Sequence, residues 1–493
     1  MKHLNLNTIL FIYLIFLLLN NCLSASHPKD EWKSRSVYQI LTDRFALSND
    51  DDQATCNCNS ECNVYCGGTF NGIKNHLDYI KGMGFGAIWI SPPLKNKEGS
   101  YHGYHNIDLY NINEHFGTTQ ELKDLIKACH DNDIWVILDA VPNHMAGELN
   151  ISTFIPFNLS EHYHNLTDDY CNGHWDEQWY KENCRIWGMP DLNHENSFVN
   201  DTIIKWLKDM LKDYDFDGVR YADVVNAPTW FWNNLTYAVN GIYTLGVFDN
   251  QNTTYVASYQ QYMDGVADFP LFYQLRSSFC DGSMINLDNY IITGHSQYKS
   301  PQYNAILFDI HDAERFLYQC TSGYRYKALR NLVAFTFFFK GIPIFYYGDE
   351  QYLDAGGEND RRRQPLFGNY DVDSDLYQLI KTLNDLRKKL NIFDLDFTSK
   401  YVDEDNYVYM RGNNIMVAVS KGLTQTIQIE NHGLNGDDKF CNALKTGDCI
   451  SVKNDVVTIR MEGEPKIYVK TSVGEIIYIS SYMFLLLILL TLF

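Results

Sequence analysis

Basic side chains are scarce in this chain: 40 Lys and Arg face 61 Asp and Glu across 493 residues, for a formal net charge of −21. No long Lys/Arg run breaks the pattern, so the folded body lacks the cationic stripe that neutralises phosphates. That argues against nucleic acid and anionic membrane surfaces as its partners. Internal repeats and low-complexity tracts are also missing, which leaves a globular fold rather than a repeat array. What is plentiful is aromatic, with 35 Tyr, 28 Phe and 9 Trp. Most belong to the core of a chain long enough for two or three domains, and a few exposed rings suit stacking on sugars.

Both ends are apolar. Met1-Lys2-His3, the run Ile9 to Leu19 and then Cys22-Leu-Ser-Ala-Ser26 read as a secretory signal peptide over residues 1–25, with small residues near Ser24 to Ser26 for cleavage. A transmembrane anchor competes with this, but the apolar core is short for one. At the other end, 471–493 includes the apolar stretch Ile476 to Phe493 with no basic residue after it. It reads as a glycosylphosphatidylinositol attachment signal, with Ser472 to Gly474 as the attachment point, or as a C-terminal membrane span. Either puts the folded part outside the cell, secreted through the endoplasmic reticulum and held at the cell surface.

Cysteine usage agrees with export: eleven of the 12 remain once Cys22 leaves with the signal. Cys56, Cys58, Cys62 and Cys66 crowd one loop, where zinc competes with disulfides. Cys171 and Cys184 flank another loop, Cys441 and Cys449 lie near the C-terminus, and Cys280 with Cys320 is expected to form a further bridge. Cys129, inside a helical pattern, reads as a buried free thiol. Asn-x-Ser/Thr sequons at Asn150, Asn158, Asn165, Asn200, Asn234 and Asn252 fit a glycan-bearing surface.

Short apolar runs alternate with helical spacing through the first 390 residues. Val37 to Leu41, Ala87 to Ile90, Trp135 to Leu138, Gly218 to Tyr221, Ile242 to Val247, Gly265 to Ala267, Ala305 to Ile310 and Ile342 to Tyr347 read as eight strands, with helices such as Leu122 to Asn132 between them. That alternation predicts a parallel sheet. A stretch of 58 residues, Asn143 to Asn200, interrupts it after the third strand, and a loop of that length is usually functional. From about Ile392 to 470 the runs become short and alternating, as in Ile415-Met-Val-Ala-Val419, which predicts an antiparallel β domain.

Three strand ends carry the chemistry: Asp139-Ala-Val-Pro-Asn143-His144, Gly218-Val-Arg220-Tyr-Ala222-Asp223-Val-Val-Asn226 and Phe308-Asp-Ile-His311-Asp312. Each is an apolar run ending in a knot of Asp, His, Asn or Arg, the way barrel strands deliver polar groups to one catalytic rim. In this order they resemble the signature regions of the alpha-amylase family, glycoside hydrolase family 13. Cys66-Gly-Gly-Thr-Phe70, Gly82 to Pro92, Tyr101-His-Gly-Tyr104 and Gly341 to Tyr346 point to its fungal-type secreted members. The resemblance implies a (β/α)₈ TIM barrel over 26–391, with domain B inserted at about 143–200 and a C-terminal β domain over 392–470. It also implies the pairs Cys58–Cys66 and Cys171–Cys184, leaving Cys56 for Cys62.

The resemblance further implies Asp312 as the retained transition-state carboxylate and His102, Tyr104, His144, Arg220, His311 and Arg363 as sugar-binding residues. Asn143, Asp191 and the carbonyls of Glu182 and Asn226 would hold calcium through oxygen ligands suited to a hard cation. The family's nucleophile Asp falls on Ala222 and its general-acid Glu on Val247, or on Gly246 if the register slides by one; Ile310 replaces a further polar contact. A retaining glycosidase needs both carboxylates, about 5 Å apart. The expectation is an extracellular amylase-like protein without hydrolysis that binds alpha-glucan or maltooligosaccharide, or serves as an interaction module. Two alternatives remain: a hydrolase using a displaced carboxylate, Asp223 or Asp249, and an escort of a membrane protein. Strand alternation turns Asp223 away from the rim unless a bulge reorients it, and Asp139 or a reoriented Asp223 is the expected partner for Arg220.

Overall fold

The computed structural model describes residues 27–49, 53–57, 62–430, 432–434, 436 and 438–471. The predicted signal peptide, the C-terminal apolar segment and Cys58 lie outside these. Eight parallel strands form one sheet: β1 (Val37–Ile40), β2 (Ala87–Ile90), β3 (Trp135–Ala140), β4 (Gly218–Ala222), β5 (Tyr243–Val247), β6 (Gly265–Val266), β7 (Ala305–Ile306) and β8 (Ile342–Tyr346). The order β6-β5-β4-β3-β2-β1-β8-β7 is that of a barrel, and a parallel bridge between Ala267 and Ala305 closes the ring from β6 to β7.

The strands are runs of β-branched, aromatic and aliphatic residues buried on both faces, as parallel strands under helices must be. Their inward side chains form one core inside the barrel, with Trp32, Val37, Trp89, Trp135, Leu245, Val247, Ile310 and Ile344 among its members. Trp32 plugs the bottom, and a Cβ at Gly218 would lie 2.9 Å from its ring, which is why β4 begins with glycine. A second core lies between strands and helices.

Capping explains where several helices start. Thr118 and Glu121 form a reciprocal capping box on Thr119–Asp131, and Asn196 caps Ser197–Tyr214. The helix foreseen from Leu122 to Asn132 therefore starts three residues earlier. Strand seven is shorter than the apolar run suggested. Beyond Ile306 the chain leaves the ladder, because the Asp309 carboxylate accepts from Phe316 N at 2.8 Å and Arg276 donates to Phe308 O at 2.7 Å.

Between β3 and β4 the insertion has no long element, only short helices such as Asp168–Cys171 and Gln178–Asn183 and bridges such as His144 to Asp191. The C-terminal region is antiparallel as expected, a six-stranded sheet together with the pair Thr424–Glu430 and Val456–Glu462 around its own core.

The disulfides Cys171–Cys184, Cys280–Cys320 and Cys441–Cys449 are present, and Cys129 is free and buried. The first loop corrects the expected pairing: Cys56 bonds Cys66, so neither Cys58–Cys66 nor Cys56–Cys62 forms. Thr55 N donates to Cys66 O at 3.0 Å and Thr55 Oγ1 to Tyr65 O at 2.8 Å, a register that lays Cys56 beside Cys66. Cys62 is itself disulfide-bonded.

Candidate active site

The C-terminal ends of the strands converge on one polar cluster. From β3, Asp139 is the hub, buried beneath the rim. Its Oδ1 accepts from Arg220 Nη1 at 2.8 Å, and its Oδ2 accepts from Tyr104 OH at 2.6 Å and Trp89 Nε1 at 2.9 Å. Arg220 thus has the partner that the sequence suggested, and its guanidinium also lies 5.1 Å from the Trp89 ring. The Tyr104 ring stacks parallel on His311 at 5.2 Å.

Beyond β7, His311 Nε2 lies 3.1 Å from Asp312 Oδ2 while its Nδ1 meets the Gln39 amide at 2.6 Å. Arg363 donates to Asp312 Oδ1 at 3.2 Å, to Tyr101 OH at 3.2 Å and to His311 O at 2.9 Å; Arg362 Nε reaches the same His311 carbonyl at 3.3 Å, and Arg363 is the one that meets the Asp312 carboxylate. Asp312 keeps a side-chain exposure of 54% and faces the opening. Burial would raise its carboxyl, but His311, Arg363 and Arg220 hold it well below the usual carboxylate range. It is an ionised acceptor at any ordinary pH.

His102 and His144 border the same cluster as neutral rings. Tyr104 N donates to His102 Nδ1 at 3.0 Å, and His144 Nε2 lies 3.2 Å from Tyr104 O. Burial pushes His144 down to about 4; for His102 burial, then Arg363, acts the same way.

Ala222 ends β4 and pairs in register with Val247 of β5, and the two are only 1% and 3% exposed. The residue after Ala222 breaks the strand. Asp223 has φ 52° and ψ 43°, a left-handed turn that ends the alternation. Burial lifts its carboxyl to about 6, with Arg220 pulling down and Asp312 and Asp139 pushing up. Asp249 lies two residues past Val247, its two carboxylate oxygens share the single proton of Tyr273 OH at 2.8 and 2.7 Å, and it lines a cleft of about 530 Å³ with Asp312.

Sequence reasoning passed over Gln39, Trp89 and Tyr101. The signal for Gln39 was a lone amide inside an apolar strand, and for Trp89 an indole next to a strand end.

The catalytic-domain model of alpha-amylase matches residues 39–365. This chain belongs to the alpha-amylase family. An alpha-amylase of Saccharomycopsis fibuligera is 32% identical over 467 residues, covering 89% of this chain and 92% of its relative. Alpha-amylase 1 of Schwanniomyces occidentalis is 32% identical over 485 residues, with coverages of 91% and 92%. Among solved structures, an alpha-amylase from Malbranchea cinnamomea superposes with a TM-score of 0.82 at 28% identity, covering 90% and 98%. The alpha-amylase of Geobacillus thermoleovorans, determined with acarbose, gives 0.80 at 28%, covering 90% and 99%.

Members of the alpha-amylase family commonly bind calcium, and the sequence resemblance implies Asn143 and Asp191 among its ligands. Both are fully buried, and among the described residues neither polar atom of the Asn143 amide nor Oδ1 of Asp191 has a hydrogen-bond partner. The other Asp191 oxygen meets His164 at 2.6 Å. Orphaned, buried oxygens fit a hard cation. Among the described residues no three His, Cys, Asp or Glu side chains converge as a metal cluster, so amide and carbonyl oxygens would complete the shell. Asn226 Nδ2 donates to Lys181 O at 3.0 Å and Gln178 Nε2 to Val225 O at 3.0 Å, tying the helix that carries Glu182 to the turn after β4.

Proposed function

We propose that this protein is an extracellular alpha-glucan binder of the alpha-amylase family that lacks the paired carboxylates of retaining hydrolysis. The observation that carries this is the Ala222–Val247 pair: at the ends of β4 and β5, where the family resemblance puts nucleophile and acid, the chain has a methyl and an isopropyl group sealed from solvent. Neither can attack an anomeric carbon nor protonate a leaving oxygen.

The sugar-holding groups support binding. Asp312, with Arg363 and His311 behind it, offers an ionised acceptor for vicinal hydroxyls; Tyr104 offers a ring face, and His102, His144 and Arg220 shape the wall. Calcium held by Asn143 and Asp191 with carbonyls of Glu182 and Asn226 would clamp the insertion to the barrel. Secretion and tethering by the C-terminal apolar segment belong to the same proposal and rest on composition; among the described residues no helix is long and apolar enough to cross a membrane.

A second reading has one observation in its favour. The left-handed turn at Asp223 breaks the strand alternation that would point its carboxylate away from the rim, and Arg220, Asp312 and Asp139 all act on it one residue beyond the nucleophile position, as a displaced nucleophile would require. Reducing-sugar release from soluble starch by the purified protein in calcium, beside Asp312→Asn made in the same host, separates the two. No release from either, with parent protein retained on amylose, is the expected result. Release by the parent that vanishes in the variant would overturn the binder reading in favour of a displaced carboxylate, Asp223 or Asp249.

A further inference from the structure

On the outside of the barrel, the helix Thr229–Ala238 packs Phe231, Trp232 and Leu235 inward. Its outer face carries rings that this packing does not use. Trp230 is 41% exposed and Tyr237 83%. With Asn234 between them, the three positions follow the i, i+4, i+7 spacing of a single helical stripe. Side chains on a helix lean toward its N-terminus, so Tyr237 covers the surface at Asn234, and Asn234 covers that at Trp230. The result is an aromatic ridge in water with an asparagine at its middle.

Asn234-Leu235-Thr236 is one of the six sequons. Asn165 and Asn200 already spend Nδ2 on Ser160 O and Asp201 Oδ1, both at 3.2 Å. Asn234, in contrast, is exposed, and among the described residues its amide makes no hydrogen bond. Thr236 points the same way. Its hydroxyl is buried against that of Tyr221 without forming a geometrically sound hydrogen bond to it. Burying a hydroxyl in this way costs stability, and valine has the same shape without the oxygen. The fold has no need of a hydroxyl here, whereas recognition of the sequon does.

We propose that Asn234 carries an N-linked glycan whose first sugars lie along Trp230 and Tyr237. In the transfer, Asn234 Nδ2 forms a bond to the anomeric carbon of an N-acetylhexosamine as that carbon's bond to the pyrophosphate of a lipid-linked donor breaks. The amide gives up one proton to the transferase, and the lipid pyrophosphate leaves. Because the Thr236 hydroxyl is buried in the folded chain, the transfer precedes packing of the helix. The C–H faces of the sugars then cover the two rings while their hydroxyls face water. The inference rests on the secretory reading and is independent of what the rim binds.

Peptide mass spectrometry of the protein secreted by a eukaryotic host, deglycosylated with an amidase in heavy-oxygen water, tests occupancy. Asn234 should appear as labelled aspartate in most molecules. Asn234→Gln should lower the thermal midpoint by about 2 °C, and in a Trp230→Ala/Tyr237→Ala background by less than about half a degree. If Asn234→Gln is not secreted, amidase treatment of the folded parent and of the ring variant gives the same comparison. Made in bacteria, without glycans, Thr236→Val should be at least as stable as the parent from the same host.

Other sequons occupied with Asn234 bare would overturn the inference and leave secretion intact, whereas all six bare would remove the secretory reading as well. Equal shifts with and without the rings would overturn the contact between glycan and ridge. A less stable Thr236→Val would give the hydroxyl a structural role and overturn the argument from it. A bare Asn234 with self-association that the ring variant abolishes would reassign the ridge to a second copy of the chain.

Discussion

Asp223 is a carboxylate in an unfavourable place, and replacing it by asparagine should stabilise the protein in a pH-dependent way. Asparagine is the correct probe because it tolerates the left-handed conformation as aspartate does, so the backbone cost is unchanged. The native carboxyl sits at about 6 against an ordinary 3.8. Because the folded state holds the proton more tightly, stability falls as pH rises from about 4 to about 6, and the penalty persists above that. Two pH units correspond to about 3 kcal/mol as a ceiling, and partial exposure brings this to on the order of 1–2 kcal/mol. For a chain of this size that is a rise in Tm of roughly one to three degrees at pH 8 and none near pH 4. Thermal unfolding of both proteins at the two pH values reads it directly. Equal midpoints at pH 8, or a variant less stable there, would refute the placement of this carboxylate among Asp139, Asp312 and Arg220.

Two further outcomes test the surroundings. Asp139→Asn leaves Arg220 buried without its charge partner and weakens the acceptor for Tyr104 and Trp89, so the urea midpoint should drop by the equivalent of about 3–5 kcal/mol; an unchanged midpoint would deny Asp139 its role as hub. Calcium at one hundred times its dissociation constant should stabilise the fold by about 2.7 kcal/mol, and Asp191→Asn should remove that increment without moving the calcium-free Tm by a comparable amount. An equal calcium response in both would place the ion elsewhere.

The barrel was legible because its strands are buried on both faces and read as continuous apolar runs; even the two-residue β6 and β7 left a trace. The knots Asp139–His144 and His311–Asp312 marked the rim for the same reason, since polar groups ending an apolar run have nowhere else to go. What stayed hidden was set by backbone conformation rather than composition. Alternation from Arg220 through Ala222 points Asp223 outward, and the turn, with φ 52°, ends that alternation. Likewise the Cys56–Cys66 pair follows from a hydrogen-bond register that spacing does not encode. The exposure of Trp187 likewise had no signal in the sequence, which does not display burial.

The ring of strands has a seam. Between β6 and β7 a single bridge does the work of a ladder, and the cleft shared by Asp249 and Asp312 opens above it. What holds this side is largely not backbone. Arg276, on the helix after β6, reaches across to Phe308 O, Glu314 O and the Asp309 carboxylate, and Cys280 on that helix is bonded to Cys320 beyond β7. The barrel is therefore a hoop closed by a rivet, and the width of the opening over the seam depends on thiol chemistry as much as on hydrogen bonding. In an oxidising compartment that rivet stays closed, and the two sides of the seam stay covalently joined.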